Sequence, residues 1–453
     1  MPEVIHLDNE PKVTQIHDLT KLQDEGEDDD DIIMTESNVT TEVINDIDGD
    51  REDQAQEDEN STIDAQTQEN YAIWKSNSIQ LYEYLNTVNA IWPSMTVQFL
   101  PDLELSSDGD RARYRVLSGT FTSGFKTEVL KIGSFQVQNS ERQVTDRVKF
   151  DHELTEFQNI QSISGKYETV QEINHSDLEI LKLRYLPHNP NLIASITNTG
   201  NIYIFDKSKY PSQCSTDFKY EMKLSGHTQE GYGLSWNCQK EGHLLSSASD
   251  GKIIHWDITK HLEPSQIKPV KTYASDKEGV NDVLWVPSHD SMFGSVGEDN
   301  QLKIYDTRQQ TNDPIIKTPQ TEHQGGINTL SINYQNSLCV ATGDSEGTVN
   351  IWDIRNPDSC STAISKAQSG AITSLKFNPS MPSLLLSSSS SDSVVNIYDL
   401  SKENEQERCI FKHGGHLLGV NDVDWNPNDP WMVGSVSYDN TIQFWKPSLD
   451  LFV

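Results

Sequence analysis

Basic residues are scarce in this sequence: 35 Lys and Arg stand against 69 Asp and Glu, a formal net charge of −34. A nucleic-acid duplex is gripped through clusters of lysine and arginine, so the lack of any basic run argues against direct, sequence-specific nucleic-acid binding. A basic protein partner is the natural complement. Cysteine is scarce too. The five thiols (Cys214, Cys238, Cys339, Cys360 and Cys409) are odd in number and lack CxxC spacing, which speaks against a disulfide framework or a zinc site and fits a reducing, intracellular compartment. No apolar run approaches the roughly 18 residues that span a bilayer, so no membrane contact is expected. Glycine-rich phosphate loops, HExxH and GxSxG are all missing, and no Ser or Cys has an assignable base. The reading is a protein that is not an enzyme and needs no cofactor.

Aromatic residues are scarce in the first 68 positions, which hold about twenty surplus negative charges, concentrated in EGEDDDD (25–31) and REDQAQEDEN (51–60). Such a segment has too little apolar surface to offset its ordering entropy, and residues 1–68 are expected to be a disordered acidic tail. From Tyr71 the pattern changes. Tyr71, Trp74, Ser78, Leu81, Leu85 and Val88 recur at spacings of three and four, predicting a helix over 71–88 within an N-terminal element at 69–92. Pro93 ends it, because proline disfavours helix in the residue before it. MTVQFLP (95–101) then alternates like a strand.

After that the chain repeats itself. Phe205-Asp206, Trp256-Asp257, Tyr305-Asp306, Trp352-Asp353, Tyr398-Asp399 and the degenerate Trp445-Lys446 follow at intervals of about 46 to 51 residues, the period of a propeller blade. Each interval carries a strand such as GYGLSW (231–236), a polar turn, a second strand such as HLLSSAS (243–249), a tight turn and the dipeptide strand. Asp250-Gly251, Asp299-Asn300 and Asp439-Asn440 suit hairpins that need left-handed backbone. Six repeats are evident, and RYRVLSGTFTSG (113–124) with EVLKIGSFQV (128–137) supplies a seventh, placed first. The expected fold is all-β: a seven-bladed WD-repeat propeller over 93–447 with an N-terminal α-helix, a disordered acidic tail and a short end at 448–453. Residues 138–172 read as an extended inter-blade loop. MTVQFLP is expected to close the ring beside Ile442 to Trp445, hiding the last sheet edges.

His227, His323 and His416 each precede the first strand of a repeat. One blade of separation prevents them from sharing a metal, so each is expected to bond within its own blade. WDIR (352–355), echoed by YDTR (305–308), resembles the element by which many WD proteins dock to cullin ubiquitin ligases; Arg355 reads equally as a solvated residue after a strand.

YAIWKSNSIQLYEYLNTVNAIWPSMTVQFLPD (71–102), RYLPHNPNLIAS (184–195), EGYGLSWN (230–237), HDSMFGSV (289–296), HGGH (413–416) and NPNDPWMVGSVSYDN (426–440) resemble the retinoblastoma-associated, histone-binding WD-repeat family across about residues 70–447. The resemblance implies a histone chaperone subunit whose partners are histones three and four and the larger subunits of a chromatin complex, located in the nucleus with the cytoplasm left open. It also implies a groove for a histone helix, formed by Gln80, Leu81, Tyr84 and Val88 beside Ile410 and Phe411; away from the main stripe the helix carries Ile73, Gln80 and Tyr84, enough for one wall of a groove. Glu403, Glu405 and Glu407 are the only acids of the adjoining loop SKENEQERC, which is shorter than the family's. On the top of the ring the resemblance implies a peptide site at Glu179, Glu230, Tyr232, Asn281 and Asn328. That face departs from the family's usual glutamates and phenylalanine at Ile91, Asn281, Ala371, Thr373 and Tyr438. The short loop, LYEYLNT (81–87), FLPDLELSSD (99–108), HLLGVNDVDW (416–425) and FWKP (444–447) resemble most the small subunit of fungal chromatin assembly factor one. The expected role is therefore replication-coupled nucleosome assembly. A subunit of a type B histone acetyltransferase or of a deacetylase complex is the alternative, and a ubiquitin-ligase substrate adaptor is the alternative of another class.

Overall fold

The computed structural model describes residues 63, 65–138, 150–151, 156–157, 167–176, 178–214, 217–259, 267–274 and 278–452. Nearly all of the acidic tail, and with it the expectation of disorder, lies outside them. Seven four-stranded antiparallel sheets follow one another, so the fold is the expected seven-bladed WD-repeat β-propeller. Their innermost strands are Val97–Leu105, Ile180–Leu186, Gly231–Trp236, Val280–Trp285, Ile327–Ile332, Ile372–Phe377 and Val420–Trp425. The first blade is built on the two stretches assigned to it, Arg111–Gly119 and Val129–Gln138. Its outermost strand is Glu168–Asn174, which takes over the end of the segment read as an inter-blade loop.

The repeated dipeptides end the third strand of their blades, and the structure shows why aspartate follows the aromatic residue. Asp206, Asp257, Asp306, Asp353 and Asp399 each accept the backbone N–H two residues on, at 2.9–3.1 Å, which turns the chain out of the sheet. The tight turns also form as expected, with Gly251, Asn300 and Asn440 at positive φ. The core lies between blades, where fully buried Trp256, Trp352 and Trp445 add to branched aliphatics. Their indole N–H groups donate to Ser246 (2.9 Å), Thr342 (2.8 Å) and Ser435 (3.3 Å). Each of those hydroxyls in turn meets Nε2 of the same blade's histidine: His227 at 2.8 Å, His323 at 2.7 Å and His416 at 2.8 Å. The three histidines therefore act within their own blades.

The N-terminal region differs from its sequence reading. The helix spans Ala65–Leu81, starting inside the segment assigned to the tail, and Tyr82–Asn89 is a strand. That strand, and not MTVQFLP, closes the ring: it is the outer strand of the last blade, pairing antiparallel with Thr441–Pro447 from Tyr82 opposite Pro447 to Asn89 opposite Thr441. MTVQFLP instead enters the innermost strand of the first blade. The helical spacing of Leu81, Leu85 and Val88 misleads because Leu85 and Val88 equally suit opposite faces of a strand. The unpaired edge of Thr441–Pro447 offers a ladder of hydrogen bonds that outweighs local helix preference. The blades also meet at Asp422 in the last innermost strand. It accepts from Val97 N (3.2 Å) in the first blade and Ser374 Oγ (2.9 Å) in the sixth, and pairs with Arg184 Nη2 (3.2 Å) in the second.

Candidate functional site

The helix lies on the outer side of the sixth and seventh blades. Its inner face carries Trp74 and Ser78, both buried, with Tyr71 and Leu81 partly buried against the same cluster. A directed chain of hydrogen bonds fixes it there. Gln443 Nε2 donates to Gly415 O (2.5 Å), which turns Gln443 Oε1 towards His413 Nε2 at 3.1 Å. His413 must then carry its proton on Nε2, leaving Nδ1 to accept from the Tyr82 hydroxyl at 2.8 Å. Trp74 Nε1–H donates to that hydroxyl at 2.7 Å. Burial holds His413 well below its ordinary pKa, so the neutral ring this chain requires is the stable one.

Phe411 belongs to this interior. It is 6% exposed, stacks on Trp445 with ring centroids 5.7 Å apart, and meets Tyr82 edge-on at 5.4 Å. It forms the floor beneath Leu81 and Ile410, which are partly buried on the same cluster, as are Trp431 and Phe452. The outer face of the helix presents Glu69, Ala72, Ile73, Ser76 and Gln80 at spacings of three and four, with Ile73 46% exposed. The loop after the third strand of the sixth blade folds into a short helix, Glu405–Arg408, capped by Asn404, whose side chain accepts Gln406 N at 3.2 Å. Arg408 turns inward to donate to Lys402 O (3.1 Å) and Glu403 O (3.3 Å), leaving Glu403, Glu405 and Glu407 exposed.

The structure thus packs Leu81, Ile410 and Phe411 into one cluster, with Gln80 exposed next to Leu81 in the helix and the three glutamates exposed on the loop that precedes Ile410. Tyr84 and Val88 lie on the opposite face of their strand, packed against the cluster shared with the first blade. Tyr84 stacks on Phe135 at 6.0 Å, and burial pushes its phenol up. Trp431 and Phe452, stacked at 4.7 Å, join the floor from the last blade and the chain end. No spacing signal linked them to the helix.

At the end of the ring where the innermost strands begin, Glu179 accepts Asn198 Nδ2 (3.1 Å), and Glu230 is exposed. Burial lifts the Tyr232 phenol to about 12, with the charge of Glu230 adding to the rise. Asn281 and Asn328 are committed elsewhere. Asn281 donates to Ile327 O (3.1 Å) and Glu298 Oε1 (2.7 Å), and Asn328 donates to Ile372 O (3.2 Å). Thr373 continues the pattern to Val420 O (2.6 Å), and Asn421 to Ser94 O (2.9 Å). These side chains form a half-girdle that fastens the fourth blade to the fifth and so on, blade by blade, round to the first. Glu298, exposed at the same end, is an acid the sequence reading passed over. At the dipeptide turns, Arg355 pairs with Asp353 (Nε–Oδ1 2.9 Å) and Arg308 with Asp306 (3.0 Å) in the same bidentate pose.

Residues 69–139 match the model of the family described as histone-binding protein RBBP4 or a CAF1 complex subunit, and residues 238–450 match the N-terminal domain of nucleolar protein 10-like proteins. The first match runs from the helix through the third strand of the first blade. The chain is similar to the histone-binding protein MSI1 of Saccharomyces cerevisiae, with 35% identity over 422 residues, covering 87% of this chain and 97% of that protein. Among solved structures, a chain of the mitotic checkpoint complex shares 14% identity at a TM-score of 0.55, covering 80% of this chain and 95% of that one. At that identity the likeness concerns the fold alone.

Proposed function

Because the chain belongs to the family of the histone-binding protein MSI1, we propose that it is a non-enzymatic histone-binding subunit that holds histones three and four during nucleosome assembly in the nucleus, within a complex of the chromatin assembly factor one type. What supports this reading is the arrangement of side chains on the side of the last two blades. An apolar and polar helix stripe, Ile73, Ser76 and Gln80, faces outward beside a loop that exposes three glutamates and no free arginine, over a floor of Leu81, Ile410 and Phe411. A basic amphipathic helix is its complement: apolar side chains reach the rim of the floor while its lysines and arginines meet the loop. The top of the ring contributes Glu179, Glu230, Glu298 and Tyr232 as a second acidic surface. Asn281 and Asn328 serve the girdle there.

Membership in one complex is decided by the company the protein keeps. Affinity purification of the tagged full chain from nuclei is expected to recover histones three and four with the large subunits of a chromatin assembly complex. Recovery with an acetyltransferase or a deacetylase would assign it to the alternative complexes. Recovery with a cullin linker would support the adaptor reading, for which Arg308 and Arg355 offer no distinguishing geometry, since each closes on its own blade's aspartate.

A further inference from the structure

Two ion pairs close the middle of the ring. Lys182 Nζ meets Asp282 at 3.1 Å and Arg184 Nη2 meets Asp422 at 3.2 Å, joining the second blade to the fourth and to the seventh. Each pair passes over an intervening blade and therefore crosses the central lumen. Thr329 and Ser374 complete the same layer through Asp282 (3.2 Å) and Asp422 (2.9 Å). Side chains two residues further along a strand point the same way, so the next layer holds Leu284, Lys376 and Asp424, all part-buried. Past the crossing the lumen is a blind pocket that opens at the end of the ring where the innermost strands finish.

Three hydrogen-bond donors in this pocket go unused. Lys376 and Asp424 stand on neighbouring innermost strands yet make no ion pair, and an Asp424 oxygen accepts Phe99 N instead, at 2.9 Å. Among the described residues the Lys376 ammonium has no hydrogen-bond or ion-pair partner, and neither have the hydroxyls of Tyr185 and Tyr334. Tyr334 follows the fifth innermost strand and stands 48% exposed at the mouth. The Asp424 carboxylate locates all three groups. Burial raises the phenols of Tyr185 and Tyr334, and the charge of Asp424 adds to both, so they stay protonated as donors. Burial lowers the Lys376 ammonium, with the charge of Arg184 acting the same way, against the pull of Asp422 and Asp424. Groups from the second, fifth and sixth blades that all feel one side chain of the seventh lie around one space. Charges withdrawn from water are ordinarily paired, and this ammonium is not.

The rim at this end is fastened by uncharged side chains. Asn237, Asn333 and Asn378 each donate to a backbone oxygen of the next blade: Asp290 O (3.0 Å), Pro382 O (2.7 Å) and Pro430 O (2.7 Å). In a chain with net charge −34, an anion finds an approach here that the glutamate-bearing surfaces deny it. We propose that this pocket is a carboxylate site that takes one aspartate or glutamate side chain from a loop of a partner protein, its oxygens accepting from Lys376 Nζ and the Tyr185 and Tyr334 hydroxyls. Charge-assisted hydrogen bonds of this kind are the strong ones. Asp424 opposes the incoming charge, which keeps the site weak for free anions and makes it depend on further contacts between the loop and the exposed Tyr334 ring. The site lies at the opposite end of the ring from Glu179 and Glu230, so a partner seated there leaves the surfaces proposed for histones open.

The test is a selection from a random dodecapeptide display library on the intact full chain, counter-selected on Lys376→Met. That substitution removes an ammonium with no partner, so the variant should keep the thermal unfolding midpoint of the parent, and circular dichroism checks that it does. Peptides enriched on the parent are expected to share one aspartate or glutamate among uncharged residues. In anisotropy titrations they should bind Lys376→Met at least about tenfold more weakly, the scale of a hydrogen bond to a charged group. Tyr334→Phe, at the exposed mouth, probes the same contact without altering the charge of the lumen and should cost about threefold. Asp424→Asn keeps an acceptor for Phe99 N and removes the opposing charge, so it should tighten binding. Replacing the acid of the peptide by its amide should weaken binding to the parent but make little further difference on Lys376→Met, because the two changes remove one contact. Affinity unchanged by both Lys376→Met and Tyr334→Phe, an equal loss from the amide peptide on parent and Lys376→Met, enrichment of basic peptides, or no enrichment over the variant would each overturn the proposal.

Discussion

Trp74 donates its indole N–H to the hydroxyl of Tyr82 at 2.7 Å, across the point where the N-terminal helix becomes a strand. The helix and the closure of the ring therefore share one hydroxyl. Whatever loosens Tyr82 loosens the helix.

Tyr82→Phe removes that hydroxyl and leaves Trp74 Nε1 and His413 Nδ1 buried without their partner, a loss of about 1–3 kcal/mol. The expected result is a lowered thermal midpoint together with faster hydrogen exchange in residues 65–81. Unaltered exchange in the helix would show that packing alone holds it.

Acid should weaken the same contact. His413 is held well below its ordinary value, and His175 is pushed down to about 4, in both cases chiefly by burial. Each is neutral when folded but takes a proton when unfolded below about 6.5. Their contribution is complete above that pH and is lost as pH falls towards the depressed folded values, with a slope of about 1.4 kcal/mol per pH unit for each histidine. Asp424, lifted to about 6 by burial, works in the opposite sense, adding stability as pH falls below 6. The comparison that isolates His413 is between the parent and His413→Gln. By urea denaturation the variant should be weaker at pH 7 yet lose less stability between pH 7 and pH 5. Parallel losses would remove His413 from the account.

Lys446 stands where five other blades carry the turn-making aspartate, and its Nζ lies 3.1 Å from Asp429 and 3.7 Å from Glu83. Because Thr441–Pro447 runs on to pair with Tyr82–Asn89, no turn is needed there, and the buried lysine sits between two carboxylates at the closure. Lys446→Asp, which restores the repeat's consensus, is expected to destabilise by about 3 kcal/mol, the scale for breaking a buried pair and leaving a charge unpaired. A midpoint within a degree of the parent would contradict this role.

Arg355→Ala is expected to leave both the thermal midpoint and the set of co-purifying proteins unchanged, because the side chain is 69% exposed and, among the described residues, pairs with its own turn. Loss of a single co-purifying partner would give Arg355 a docking role.

Blade number, the aspartate turns and the histidine positions were legible in the sequence because each depends on short-range chemistry repeated at a fixed period. The closure was not, since Tyr82–Asn89 becomes a strand only by meeting an edge more than 350 residues away in the chain. The same fact divides the expected groove. Leu81 and Ile410 come together, but the strand sends Tyr84 and Val88 towards the first blade, on the face opposite Leu85. On the top face, side-chain type alone does not separate a ligand-facing asparagine from one that spans two blades. Asn281 and Asn328 do the latter.

The proposed function requires that histones three and four be held by a specific groove and not by diffuse negative charge. Ile73 offers the cleanest probe, being exposed and outside the aromatic core, unlike Phe411. A titration of the full chain with the histone pair at physiological salt should show Ile73→Asp binding at least about tenfold more weakly than the parent, equivalent to about 1.4 kcal/mol. Its added negative charge would by itself favour a basic partner. Equal or tighter binding by Ile73→Asp would contradict the groove and leave charge as the only determinant.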